Sequence, residues 1–230
     1  MSPARPSAPA VPARRLRGLS LIELMVVVAV AVVIIGLAAP SFSDYIVTQR
    51  VRSVHAQLVT DLQFARSEAA ARGRYVAVQF DHRPGDTESD GSCYIVITRN
   101  KPGGGNPRYC DCFGSEGARC THPETTELRR VLIPNRLQVS VRVDAPVLAA
   151  FTPPPSPGAI PGVNFDPATG RYEQGVTDDP AWLDNGFPVY TRAVTDREGE
   201  SRALRVSVFG TGRVAPCTPA GSPLGGEACP

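Results

Sequence analysis

Histidine is scarce in this chain, three in 230 residues, at His55, His82 and His122. No Ser/His/Asp ordering, no glycine-rich phosphate loop and no paired-carboxylate context accompanies them. His55 falls on an expected helix, and His82 and His122 fall in expected loops. No catalytic constellation and no cofactor or metal is therefore expected, and an enzyme is the least favoured class. No internal repeat is present. Net charge is also slight, 24 basic against 22 acidic residues, or +2. Such a balance gives no bulk attraction for nucleic acid, so DNA binding would need a local basic patch.

What the chain does have is one long apolar run near its start. Arg14, Arg15 and Arg17 precede Gly18, and Leu19 to Ala39 follow with a single charge, Glu23. At helical rise that run is about 30 Å long, one hydrocarbon thickness. A carboxylate there costs a few kcal/mol at the bilayer centre and persists only with a partner. The arginines keep the start of the chain cytoplasmic, so everything after Ala39 faces outward. A plain single-span anchor would share this pattern. A cleaved secretory signal ending near Leu37-Ala38-Ala39 fits worse, because Glu23 interrupts the run and Pro40 follows the site.

This arrangement resembles the N-terminus of type IV pilins and of type II secretion pseudopilins. In that family a prepilin peptidase cuts after the leader glycine and methylates the new terminus. The resemblance puts the cut between Gly18 and Leu19, Glu23 at the fifth mature position, and Pro40 at the twenty-second, where many pilins carry a helix-kinking proline. Leucine at 19 replaces the usual phenylalanine. The resemblance further implies that Glu23 neutralises the terminal amine of a neighbouring subunit. Met1 to Pro12, rich in Pro, Ala and Ser, reads as a disordered leader extension. The leader carries four of the 24 basic residues and no acid, so the remainder holds 20 against 22 and is net −2.

Ser41 to Arg72 reads as an amphipathic continuation of the helix. Val47, Val51, Val54, Leu58, Leu62, Ala65 and Ala69 share one stripe, while Arg50, Ser53, Gln57 and Gln63 fall off it. Gly73 is the expected stop, and a bend or weakening is expected near Gly36 and Pro40. The segment Asp61 to Ala69, DLQFARSEA, resembles the end of this helix in the GspH/FimT minor pilins and pseudopilins. From Tyr75 the period becomes two. Strands are expected at Val76 to Phe80, Cys93 to Thr98, Glu127 to Ile133, Gln138 to Val143, Gly162 to Asp166, Phe187 to Ala193 and Arg202 to Phe209. Short turns without intervening helices indicate antiparallel pairing. The expected fold is thus α+β and type IV pilin-like. One long helix, half transmembrane and half amphipathic, packs on antiparallel sheet. The expected segments are a leader at 1–18, an assembly helix at 19–40, its amphipathic continuation at 41–73, a β domain at 74–214, and a Pro/Gly-rich tail at 215–230.

Twenty-three prolines and 21 glycines indicate many turns, and Pro153 to Pro157 forms a stiff bridge that cannot join a central strand. Six cysteines, Cys93, Cys110, Cys112, Cys120, Cys217 and Cys229, in an outward-facing domain point to disulfides. Cys93 could reach Cys110 or Cys112 and Cys120 the other, and Cys217 could join Cys229. Fifteen pairings are open. Zinc on Cys110, Cys112, Cys120 and His122 has no standard spacing, and Asp178-Asp179 reads as a solvated turn rather than a calcium site.

Gly212-Arg213 follows the last strand, as a Gly-Arg-x-Arg motif does in FimT-like pilins that bind DNA during transformation, but Ala215 stands at the second arginine. Arg192, Arg197, Arg202 and Arg205 could form a patch with Arg213; the plainer reading is a turn glycine beside a solvated arginine. The resemblance implies a minor (pseudo)pilin that primes or tips a filament. Its expected site is the inner membrane, single-pass, with the leader cytoplasmic and the C-terminal domain periplasmic. The expected partners are prepilin peptidase, other major and minor (pseudo)pilins, an inner-membrane assembly platform and membrane lipid. The alternative is a DNA-receptor pilin with Arg213 as a contact.

Overall fold

Helix α1 (Leu21–Arg72) runs for 52 residues through Pro40 without a break in its assignment. The computed structural model describes residues 20–83, 91–99, 110–120, 124–143, 162–170, 172–173, 186–194 and 202–229, without the side chains of 37–41 and 172–173. The chain divides into two compact units, Met1–Ser43 and Asp44–Pro230. Beyond α1 it forms β1 (Tyr75–Arg83), β2 (Gly91–Arg99), β3 (Thr126–Pro134), β4 (Val139–Arg142), β5 (Gly162–Phe165), β6 (Tyr172–Glu173), β7 (Phe187–Ala193), β8 (Ala203–Val208) and β9 (Val214–Cys217). They make two sheets, β3-β2-β1-β5-β6 and β4-β7-β8-β9. Every pairing between these strands is antiparallel.

The second unit is organised around the stripe on α1. Val47, Val51, Leu58, Leu62, Ala65 and Ala69 are buried, with Val54 partly so. The same core takes Val76, Val78, Phe80, Tyr94, Val96, Val163 and Phe165 from the five-stranded sheet. It also takes Val139, Val141, Phe187, Val189, Val206 and Val208 from the four-stranded one. Burial of each such Val, Leu or Phe side chain contributes about 1.5–3 kcal/mol. The helix ends where Gly73 takes a left-handed φ of 60°, a conformation open to glycine at little cost.

Polar groups interrupt this interface at two places. Asp61 is fully buried. The Tyr94 hydroxyl donates to Asp61 Oδ2 at 2.7 Å. Arg129 Nη1 lies 2.8 Å from Asp61 Oδ1, an ion pair without a well-aligned hydrogen bond. Burial, then the bond to Asp61, pushes the Tyr94 hydroxyl's pKa well above its ordinary value. His55, also buried, sets Nδ1 3.4 Å from Thr191 Oγ1 on β7.

The outer face of the five-stranded sheet is covered as well. Ala77, Cys93, Ile95 and Ile97 pack with Cys110, Cys112, Phe113 and Cys120 in a second apolar cluster. Disulfides Cys93–Cys112 and Cys110–Cys120 hold this flap. Arg130 Nε also donates to Cys112 O at 2.7 Å. All nine residues of β2 are consequently buried.

Several expectations are corrected. His82 lies in β1 rather than a loop, because β1 stays paired with β2 as far as Arg83↔Gly91. Its Nδ1 is 3.1 Å from Ser92 Oγ. The segment from Ala215 is not a tail. β9 adds it to the sheet edge, Cys217–Cys229 closes it, and Leu224 joins the core. Arg52 Nη2 donates to Leu224 O at 3.0 Å. Pro216 is tolerated because β9 is an edge strand. The expected membrane span is not met on the described residues, among which no helix is long and apolar enough to cross a membrane. The leader, Pro153–Pro157, His122, Asp178-Asp179 and Arg197 lie outside the described residues.

Two predictions follow from these polar inclusions. Tyr94→Phe removes a bond to a buried carboxylate and should cost about 1.5–3 kcal/mol in urea unfolding; a cost near zero would show that Asp61 needs no donor from β2. Burial lowers the pKa of His55 from 6.5 to about 4. The folded state therefore holds it neutral while the unfolded chain takes up a proton. Its contribution is complete above pH 6.5 and is lost as pH falls towards about 4, on the order of 3 kcal/mol in all. The His55→Gln variant should show a flatter stability profile across that window.

Candidate functional site

The first unit presents a helix that is apolar on all sides. Leu21, Ile22, Leu24, Met25 and the valines and isoleucines through Ile35 are each 54–77% exposed. Glu23 is the one charge among them. A helix hydrophobic all round is stable only where its whole surface is covered. Water-facing apolar area of this extent marks a surface that is covered in use.

A second feature lies on the second unit. The exposed flank of α1 and two turns, one after β5 and one between β8 and β9, enclose a groove of about 570 Å³. Its walls include Gln63, Arg66, Ser67, Thr169, Gly212 and Arg213. The β8–β9 turn closes through Gly212 N donating to Phe209 O at 2.7 Å and Phe209 N donating to Arg213 O at 2.9 Å. Gly212 has φ 74°, and a Cβ there would stand 1.8 Å from Gly170 O. Only glycine permits this approach of the two turns. Arg66 lies across them, its Nη2 donating to Thr211 O at 3.4 Å. The Arg213 guanidinium stacks 4.3 Å over the Phe209 ring. Asp166 anchors the other turn, accepting at Oδ1 from Thr169 Oγ1 and from the N–H groups of Thr169 and Ala168, at 2.7–2.9 Å. Those bonds, the Thr169 ones foremost, hold its carboxyl below the usual range.

The sequence of a protein family described as Type II transport protein GspH matches residues 56–212. The chain belongs to the GspH family. No curated protein and no solved structure matches it. The match takes in the outer part of α1 and the strands through β8, so this GspH-family domain carries the family signal in its packed body. Gly18, Leu19, Glu23 and Arg213 lie outside the matched span.

Among the described arginines of the expected patch, each of three has a different setting. Arg202 pairs with Asp44 Oδ1 at 3.3 Å, and Arg192 stacks 4.5 Å from the Tyr190 ring. Arg205 sits opposite Tyr190 in the β7–β8 register. Arg213 instead shares its groove with Arg66, which the sequence reading missed. Nothing local in the sequence distinguishes Arg66 from other solvated helix arginines; the turns that meet it come from more than a hundred residues away in the chain. Asp61 did carry a signal, a carboxylate on an otherwise apolar stripe. All six cysteines are in disulfides, which leaves no thiolate for a metal.

The groove's geometry makes a direct prediction. Gly212→Ala should lower stability by about 2 kcal/mol or more, since both φ and the contact with Gly170 forbid a Cβ. Gly221→Ala also faces a positive φ, but its Cβ would meet nothing within 4 Å; it should cost about 1 kcal/mol or less. Equal losses in the two variants would mean the turns do not depend on their close approach.

Proposed function

We propose that this GspH-family chain is a minor subunit of a type II secretion pseudopilus or a related type IV pilus, and that it works by assembly rather than catalysis. The observation that carries this reading is the exposed apolar segment from Leu21 to Ile35 with Glu23 as its lone charge. In the proposed sequence of events, prepilin peptidase cuts after Gly18 and Leu19 becomes the amino terminus. The apolar helix waits in the inner membrane and then passes, at the assembly platform, from lipid contacts to contacts with other pilin helices. Glu23 is four residues from the new terminus. In the apolar interior of a filament it is matched by the amine of the adjoining subunit. The β domain faces the periplasm and meets other minor subunits or cargo.

The alternative, a DNA-receptor pilin, draws on Gly212-Arg213. It lacks the second arginine of the motif, and Arg202 is engaged with Asp44. Retention on DNA at low salt that is lost in Arg213→Ala would favour it.

Glu23→Ala tests the assembly reading. The variant should insert into the membrane as the parent does and be depleted from sheared filaments by about tenfold or more, as loss of one buried charge pairing implies. Undiminished incorporation would remove the pairing of Glu23 with a neighbouring terminus.

A further inference from the structure

The groove beside α1 is cationic and has no counter-charge of its own. Arg66 and Arg213 line it, and no acidic side chain does among the described residues. Both arginines are exposed. The one long bond from Arg66 to Thr211 O leaves most of its guanidinium donors open. The stacking of Arg213 on Phe209 uses a face of the guanidinium and leaves its donor edges. Asp166, beside the groove, spends its Oδ1 oxygen on the turn that it caps.

We propose that this groove is a receptor for a carboxylate carried on a peptide segment of a neighbouring protein subunit. Guanidinium edges match a carboxylate in a two-point hydrogen bond and do so better than any other side-chain cation. The volume, about 570 Å³, suits a few side chains rather than a long polymer. Gly170 and Gly212 shape the wall: a Cβ on either would come within 3.1–3.2 Å of Arg66 Nε. The inference rests on the assembly reading, in which protein chains flank this subunit.

The test uses the full chain in detergent micelles at low salt. The probes are an end-blocked tetraglutamate peptide, the matching tetraglutamine peptide and a short DNA duplex, with binding read by calorimetry. Tetraglutamate should bind, tetraglutamine should not, and Arg66→Gln and Arg213→Gln should each weaken binding by about fivefold or more. Unchanged melting temperatures in both variants would exclude loss of fold as the cause. Absence of tetraglutamate binding, binding indifferent to both substitutions, or tighter arginine-dependent binding of DNA would overturn the proposal. Failure of the peptide to bind while the chain still enters filaments removes this inference alone. Arginine-dependent peptide binding by a chain that never enters a filament removes the assembly reading and keeps the carboxylate site.

Discussion

Apolar surface on α1 has to leave water, and the molecule meets that constraint in two different ways along one helix. From Val47 to Ala69 the apolar residues occupy a single stripe, and two sheets close over it. From Leu21 to Ile35 they occupy every side, and the chain's described residues leave them exposed. At about 25 cal/mol per Å² of apolar area, the first arrangement stabilises the folded domain. The second stores the same kind of free energy for an encounter with lipid or with other helices. Fold and proposed function are thus two uses of one physical effect, separated along the sequence.

The polar groups within the packed stripe give it specificity. Leu and Val side chains tolerate sliding and repacking. A buried carboxylate that must meet Tyr94 and Arg129 does not, because a shifted register leaves it desolvated and unpaired. His55 opposite Thr191 adds a second fixed point, on the other sheet. With the helix held from both sides, its exposed flank meets the turns after β5 and β8 in one place. Gly212 lets those turns touch, and the arginine-lined groove results.

Much of this was legible in the sequence. The stripe on α1 follows the helical period, and Gly73 marks its end. The alternating valines of β1, β4 and β8 announce strands. What stayed hidden depends on distant partners. β6 has two residues and β9 contains Pro216; neither has enough local pattern, and each exists because a neighbouring strand pairs with it. β2 is buried throughout because the flap from Cys110 to Cys120 covers its outer face. The C-terminal residues read as a tail because Leu224 is a lone anchor among prolines and glycines. The motif at Gly212-Arg213 was visible, but its cationic partner on α1 was not.

The central claim is that the apolar helix is a processed assembly element, which makes its true starting residue decisive. Intact-mass and N-terminal fragment analysis of the protein isolated from its native membrane would read that residue directly. The account predicts a chain that begins at Leu19 with one methyl group on its amine, and that keeps Glu23 and the whole apolar run. A chain that retains Arg14 to Gly18, or one that begins after Ala39, would contradict it.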